Sequence, residues 1–91
     1  INPNFADAHN TLGICLFKQS QFEQAKVEFE KALSLDSENY IYLRNLILTK
    51  LKLKDLEGLD FLIKKFIKLT SINDPRTKDI LKLYFELLDT Q

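Results

Sequence analysis

The chain offers little with which to do covalent chemistry. Its one histidine is His9 and its one cysteine is Cys15. A single imidazole and a single thiolate cannot assemble the usual ligand set of a zinc site, and one thiol excludes an internal disulfide. No candidate catalytic triad appears. The two glycines, Gly13 and Gly58, lie 45 residues apart, which leaves no loop to cradle phosphate. Thirteen basic and thirteen acidic side chains cancel, so nucleic-acid binding through bulk positive charge is ruled out. Neither an enzyme nor a bound cofactor or metal is expected. His9 is expected to fill core space, and Cys15 to be an inert, inward-facing thiol.

The remaining polar groups must be positioned by helices. Hydrophobic residues make up 45% and charged residues 29% of 91 residues, an ordinary balance for one small domain. Two Gly and two Pro supply little turn material, which argues against an all-β fold. No apolar run approaches the roughly 20 residues of a membrane span. Asn4, Ser20, Ser37, Asp55 and Asp74 each precede a segment of helical periodicity and can cap it. Ser20 with Glu23 has the spacing of a capping box, and Pro75 suits a first helical position.

Five helices are therefore expected, over about 5–18, 21–35, 38–53, 56–70 and 75–89. Their apolar stripes follow i, i+3, i+4 spacing. Helix one should turn Ala8, Leu12, Cys15 and Leu16 inward, and helix two Phe22, Ala25, Phe29, Ala32 and Leu33. Helix three should bury Leu43, Leu46, Ile47 and Lys50. Helix four should bury Leu59, Leu62, Ile63, Phe66 and Ile67, and helix five Ile80, Leu81, Tyr84, Leu87 and Leu88. The strand-like alternation Leu51-Lys52-Leu53-Lys54 is short and partnerless.

Alternate caps repeat at 33 residues (Asn4 to Ser37) and 35 (Ser20 to Asp55), a period that suggests a solenoid of helix–turn–helix units. His9-x-x-Leu12-Gly13-x-x-Leu16 is followed by Ala25-x-x-x-Phe29-x-x-Ala32. This resembles the tetratricopeptide repeat, with His9, Leu16 and Ser37 standing for the family's usual Trp, Tyr and Pro. The resemblance is strong over 1–39 and weak over 40–70. It implies an all-α, antiparallel helix–turn–helix solenoid. The division is a well-matched unit at 5–36, a degenerate unit at 38–70 and a terminal capping helix at 75–89. Gly13, Ala25 and Ala32 should let backbones approach. Ile47, Leu59 and Phe66 take the corresponding places in the second unit and should push its helices apart, unless Gly58 compensates through a local shift. Ile1-Asn2-Pro3-Asn4 looks like the close of a preceding repeat. With no Met in the chain, it is expected to be the C-terminal piece of a longer array.

The resemblance implies a concave groove lined by the first helix of each unit, holding a peptide or helix of a partner protein. Ile14, Phe17, Ile41, Leu48 and Leu51 give it an apolar floor, with Asn10, Arg44, Asn45 and Lys52 as its polar rim. Asn45 matches an asparagine that bonds a ligand backbone in related proteins. One branch of the family clamps a terminal carboxylate with Lys and Asn. Here those positions read Asn10 and Ile14, so that clamp is not reproduced. The expected function is a protein–protein interaction module acting as scaffold or adaptor. The alternative is a self-association domain using Leu83 and Phe85, which exceed what one contact stripe on helix five can cover. No targeting segment is evident, and a lone thiol suits a reducing compartment, so a cytoplasmic setting is expected.

Charge is segregated along the chain. Residues 1–40 hold six acids and three bases, and residues 41–70 hold seven bases and three acids. Lys50, Lys52, Lys54, Lys64, Lys65 and Lys68 are expected to form a solvated face whose stems cover apolar surface, in preference to a patch for an acidic partner.

Overall fold

Among the residues that this computed structural model describes, 3–90 for the backbone and 5–90 for the side chains, five α-helices occur and no strand. They are α1 (Pro3–Lys18), α2 (Phe22–Leu35), α3 (Tyr40–Leu53), α4 (Leu59–Leu69) and α5 (Pro75–Asp89). Ile1 and Asn2 lie outside the described residues.

The helices start where a cap and the turn geometry agree. Asp74 caps α5 as its sequence implies, accepting from the Arg76 backbone N–H at 2.8 Å with Pro75 beside it. The other cap assignments need correction. Helix α1 is already formed at Pro3, so Asn4 lies within its first turn. Ser20 sits in the α1–α2 turn with φ 61, and α2 begins after Gln21 without a side-chain cap. The capping box is therefore absent. Asn39, not Ser37, caps α3, and its Oδ1 accepts from the N–H groups of Ile41 and Tyr42. Asp55 accepts from the Glu57 N–H inside a longer turn, and α4 begins only at Leu59.

The core runs through three linked clusters. Ala25, Phe29 and Leu46 join α2 to α3. Ala6, Ala32 and Tyr42 join α1, α2 and α3. Leu43, Ile47, Leu59, Ile63, Phe66 and Ile80 join α3, α4 and α5. The inward stripes expected for α2, α3 and α4 are buried or half-buried, Lys50 included, and that of α5 departs only in Leu88, which is exposed. That of α1 is rotated: Ala8, Leu12 and Cys15 are exposed, while Ala6, Asn10 and Gly13 face the core. Helix α1 carries two stripes of small or apolar residues, and the one containing Gly13 finds the partner.

Gly13 explains that choice. A Cβ built there would stand 2.6 Å from Cε1 of the buried Phe29 ring. The absence of a side chain lets α1 and α2 approach more extensively than any other pair of helices. Helices α3 and α4 approach far less, as expected with Ile47, Leu59 and Phe66 filling the crossing. Gly58 does not compensate. It adopts φ 68 at the start of α4, with nothing near its Cα to receive a side chain. Helix α3 touches α1, α2, α4 and α5.

Polar bonds tie the layers together. Lys50 is buried, yet its Nζ donates to the Glu57 carbonyl at 2.8 Å and to Asp55 Oδ2 at 3.3 Å. Lys26 of α2 donates to the same Asp55 oxygen at 3.1 Å. Hydrogen bonds from Lys26 foremost, and from the Glu57 N–H and Lys50, hold the Asp55 carboxyl below its ordinary range. The Arg76 guanidinium lies 4.7 Å from the centre of the Tyr40 ring, linking the starts of α3 and α5.

Candidate functional site

Helices α1, α3 and α5 are successive neighbours, since α3 contacts both of the others. Their facing side chains form two adjoining hollows. The first, of about 220 Å³, is lined by Ile14, Phe17 and Lys18 of α1, Phe29 of α2, and Asn45 and Leu48 of α3. The second, of about 500 Å³, is lined by Phe17, Leu48, Leu51, Lys52, Lys54 and Leu83. Phe17 and Leu48 belong to both and form the ridge between them. Phe17 is braced from behind by an edge-on contact with Phe22, ring centres 5.0 Å apart.

The polar residues sort differently from the expected rim. Asn10 is only 7% exposed and does not stand at the edge. Its Oδ1 accepts from Asn45 Nδ2 at 2.8 Å, joining α1 to α3 beneath the first hollow. Asn45 is half-buried, and among the described residues its own Oδ1 and second amide hydrogen have no partner, which suits them to pair with a peptide group. Thr49, fully buried below, is satisfied by the Asn45 carbonyl at 2.7 Å.

Ile14, Phe17, Asn45, Leu48, Leu51 and Lys52 are thus brought together. Ile41 is 48% exposed, and neither it nor Arg44 lines a hollow, although Arg44 lies one turn before Leu48 on α3. Lys54, Leu83 and the floor residue Phe29 also line the hollows. Leu83, assigned from sequence to self-association, forms a groove wall. Its signal was periodic: Ile14, Leu48 and Leu83 recur at 34 and 35 residues. Phe85 is 56% exposed on another face of α5.

Two further assignments are corrected. His9 is no core filler: it is half-buried, and its Nδ1 lies 2.8 Å from Glu28 Oε1 on α2. The imidazole, with Lys31, holds the Glu28 carboxyl below its usual range. Cys15 is exposed, because α1 presents its other stripe to the core.

The lysine cluster does not form one face. Lys50 is buried in its ion pair, and Lys52 and Lys54 flank the second hollow. Lys64, Lys65 and Lys68 border a separate hollow of about 690 Å³ beside Phe61 on α4, where Lys64 pairs with Asp60 and Lys65 with Glu38. Among the described residues, no cluster of three His, Cys, Asp or Glu side chains is placed to hold a metal ion. No described helix is long and apolar enough to cross a membrane.

The family model for the tetratricopeptide repeat matches residues 6–39. That segment is a tetratricopeptide repeat. No curated protein and no solved structure gives a significant match to the chain. The matched repeat spans nearly all of α1, the whole of α2 and the turn as far as the Asn39 cap. It contains the Gly13–Phe29 crossing and the α1 side of the groove. Tetratricopeptide repeats generally mediate protein–protein interaction or scaffolding and are generally non-enzymatic.

Proposed function

We propose that the chain is a protein–protein interaction module that binds a peptide or helical segment in the groove of α1, α3 and α5. In this reading α3 and α4 are a second, looser repeat, and α5 opens a third or caps the array. The observation that carries the proposal is the pair of adjoining apolar hollows with Phe17 and Leu48 as a shared ridge. Such a floor takes spaced apolar anchors from an extended or helical segment, and the free Oδ1 and N–H of Asn45 fix its backbone. Phe17 and Leu48 are then the binding hot spots, and Asn45 sets register. An unpaired, exposed Cys15 suits a reducing compartment such as the cytoplasm.

The test is selection of random 16-residue displayed peptides on the chain, followed by fluorescence polarisation with the enriched sequences. Saturable binding that Phe17→Ala abolishes while circular dichroism shows helicity retained supports the groove. Enriched peptides that bind Phe17→Ala and Leu48→Ala as well as wild type would rule it out.

Self-association is a second reading, favoured by the exposure of Phe85 and Leu88 on α5. Sedimentation equilibrium decides it. A dimer abolished by Phe85→Glu supports it, and a monomer at high concentration removes it.

A further inference from the structure

The charged residues that line the two hollows are all cations. Lys26, Lys31, Lys50, Lys64, Lys65 and Arg76 each lie within ion-pair distance of a carboxylate. Among the described residues, Lys18, Arg44, Lys52, Lys54, Lys68, Lys78 and Lys82 have no such partner. Three of these seven, Lys18, Lys52 and Lys54, line the two hollows, where no carboxylate does. The distribution is also graded. Lys18 is the one cation of the first hollow, and Lys52 and Lys54 together flank the second. Lysines in the last turns of α1 and α3 answer the helix dipoles, which explains their place in the sequence. That role consumes none of their hydrogen-bonding capacity. In a chain of zero net charge, unpaired cations gathered around an apolar depression leave a local field that attracts and orients anions.

We propose that the segment bound in this groove is an acidic amphipathic stretch of another protein. It places one apolar anchor in each hollow and carries Asp or Glu beside the anchor that enters the second. The inference rests on the groove reading above and adds the chemistry and direction of the ligand. A bare polyanion does not fit, because it leaves the Ile14, Phe17 and Leu48 floor unmatched. An apolar segment without acids leaves Lys52 and Lys54 at the second hollow without counter-charge. The acidic end of the ligand therefore lies toward α5.

The experiment repeats the displayed-peptide selection on three forms of the 91-residue chain: wild type, Lys52→Glu/Lys54→Glu and Lys52→Gln/Lys54→Gln. Both lysines are exposed, and circular dichroism checks that each form keeps its helicity. Wild type should enrich peptides with two apolar anchors and acids beside one of them. The charge-reversed form should enrich the same anchors with Lys or Arg in place of the acids. A synthetic peptide from the wild-type selection should bind the reversed form about tenfold more weakly, the scale of two rim ion pairs made repulsive. The neutral form should fall between. Anchors enriched without acids, unchanged by reversal, would overturn the acidic ligand and leave the groove standing. Acid-rich peptides without anchors would overturn the amphipathic ligand. No enrichment on wild type would overturn the groove reading itself.

Discussion

Asn45 donates from its side-chain amide to Asn10 across the α1–α3 interface at 2.8 Å, and the two residues are 35 positions apart in the chain. The bond satisfies a nearly buried carbonyl oxygen and fixes the orientation of the one amide that reaches the first hollow. Asn45→Ala should lower stability by about 1–2 kcal/mol, because Asn10 Oδ1 is left without its donor. Replacing both residues with Leu should recover much of that loss while weakening peptide binding. Urea unfolding and polarisation on the same variants separate the two effects. Equal stability of Asn45→Ala and wild type would show that water replaces the donor.

Gly13→Ala tests the α1–α2 crossing. Alanine is the better helix former by about 1 kcal/mol, so an unconstrained site would gain. Here the added methyl meets the Phe29 ring at 2.6 Å, and overpacking should give a net loss of about 1–3 kcal/mol. Phe29→Leu in the same chain should lessen the penalty of the alanine in a double-mutant cycle. A raised melting temperature for Gly13→Ala alone would refute the crossing.

Acid should unfold the protein partly through Asp74. Side-chain hydrogen bonds from the Arg76 guanidinium, then the Arg76 backbone N–H, hold this carboxyl down to about 2. Its value in the unfolded chain is about 3.9. A carboxyl lowered in the folded state stabilises the fold above the unfolded value and loses that contribution as pH falls toward 2. Asp55 and Glu28 are lowered in the same sense, by Lys26 and His9 foremost. Urea midpoints should therefore decline from about pH 4 to pH 2. Asp74→Asn keeps an oxygen for the cap and removes the charge, so it should flatten part of that decline. An identical pH profile would show the shift to be absent.

Asp55 holds Lys50 inside the structure. Asp55→Ala should cost about 1–3 kcal/mol by leaving a buried ammonium with the Glu57 carbonyl as its remaining partner. Lys50→Leu combined with Asp55→Ala should be more stable than Asp55→Ala alone. Thermal melts of the single and double variants decide this, and additive losses would contradict the pairing.

Cys15 should react promptly with a thiol reagent under native conditions, since its side chain is exposed on α1. A thiol that titrates only in denaturant would mean that this stripe is covered in solution.

What could be read from the sequence was what local rules decide. Asp74-Pro75 fixed a helix start because cap and proline act on adjacent residues. The buried stripes of α3 and α4 followed from spacing, and the looseness of their crossing from the bulk of Ile47, Leu59 and Phe66. Helix α1 defeated the same reasoning. It bears one stripe at Ala8, Leu12 and Cys15 and another around Ala6, Gly13 and Phe17, and periodicity cannot say which meets a partner. The caps at Ser37 and Asp55 lost to Asn39 and Gly58 because several suitable residues stand within one turn and backbone geometry selects among them. Ile14, Phe17 and Leu48 were placed in the groove by the resemblance to the tetratricopeptide repeat. The Asn10–Asn45 bond and the arrival of Leu83 from α5 depend on contacts 35 residues apart, which no local rule supplies.

Among the described residues, helix α3 alone contacts all four of the others, whereas α1 and α5 do not meet. The span of the groove is therefore set by two angles, that of α1–α2 on α3 and that of α5 on α3, with no strut across the opening. The Lys26–Asp55 bond works as a clasp from α2 to the α3–α4 turn. A segment seated against both Ile14 and Leu83 would supply the missing strut, joining directly two helices that are otherwise linked through α3.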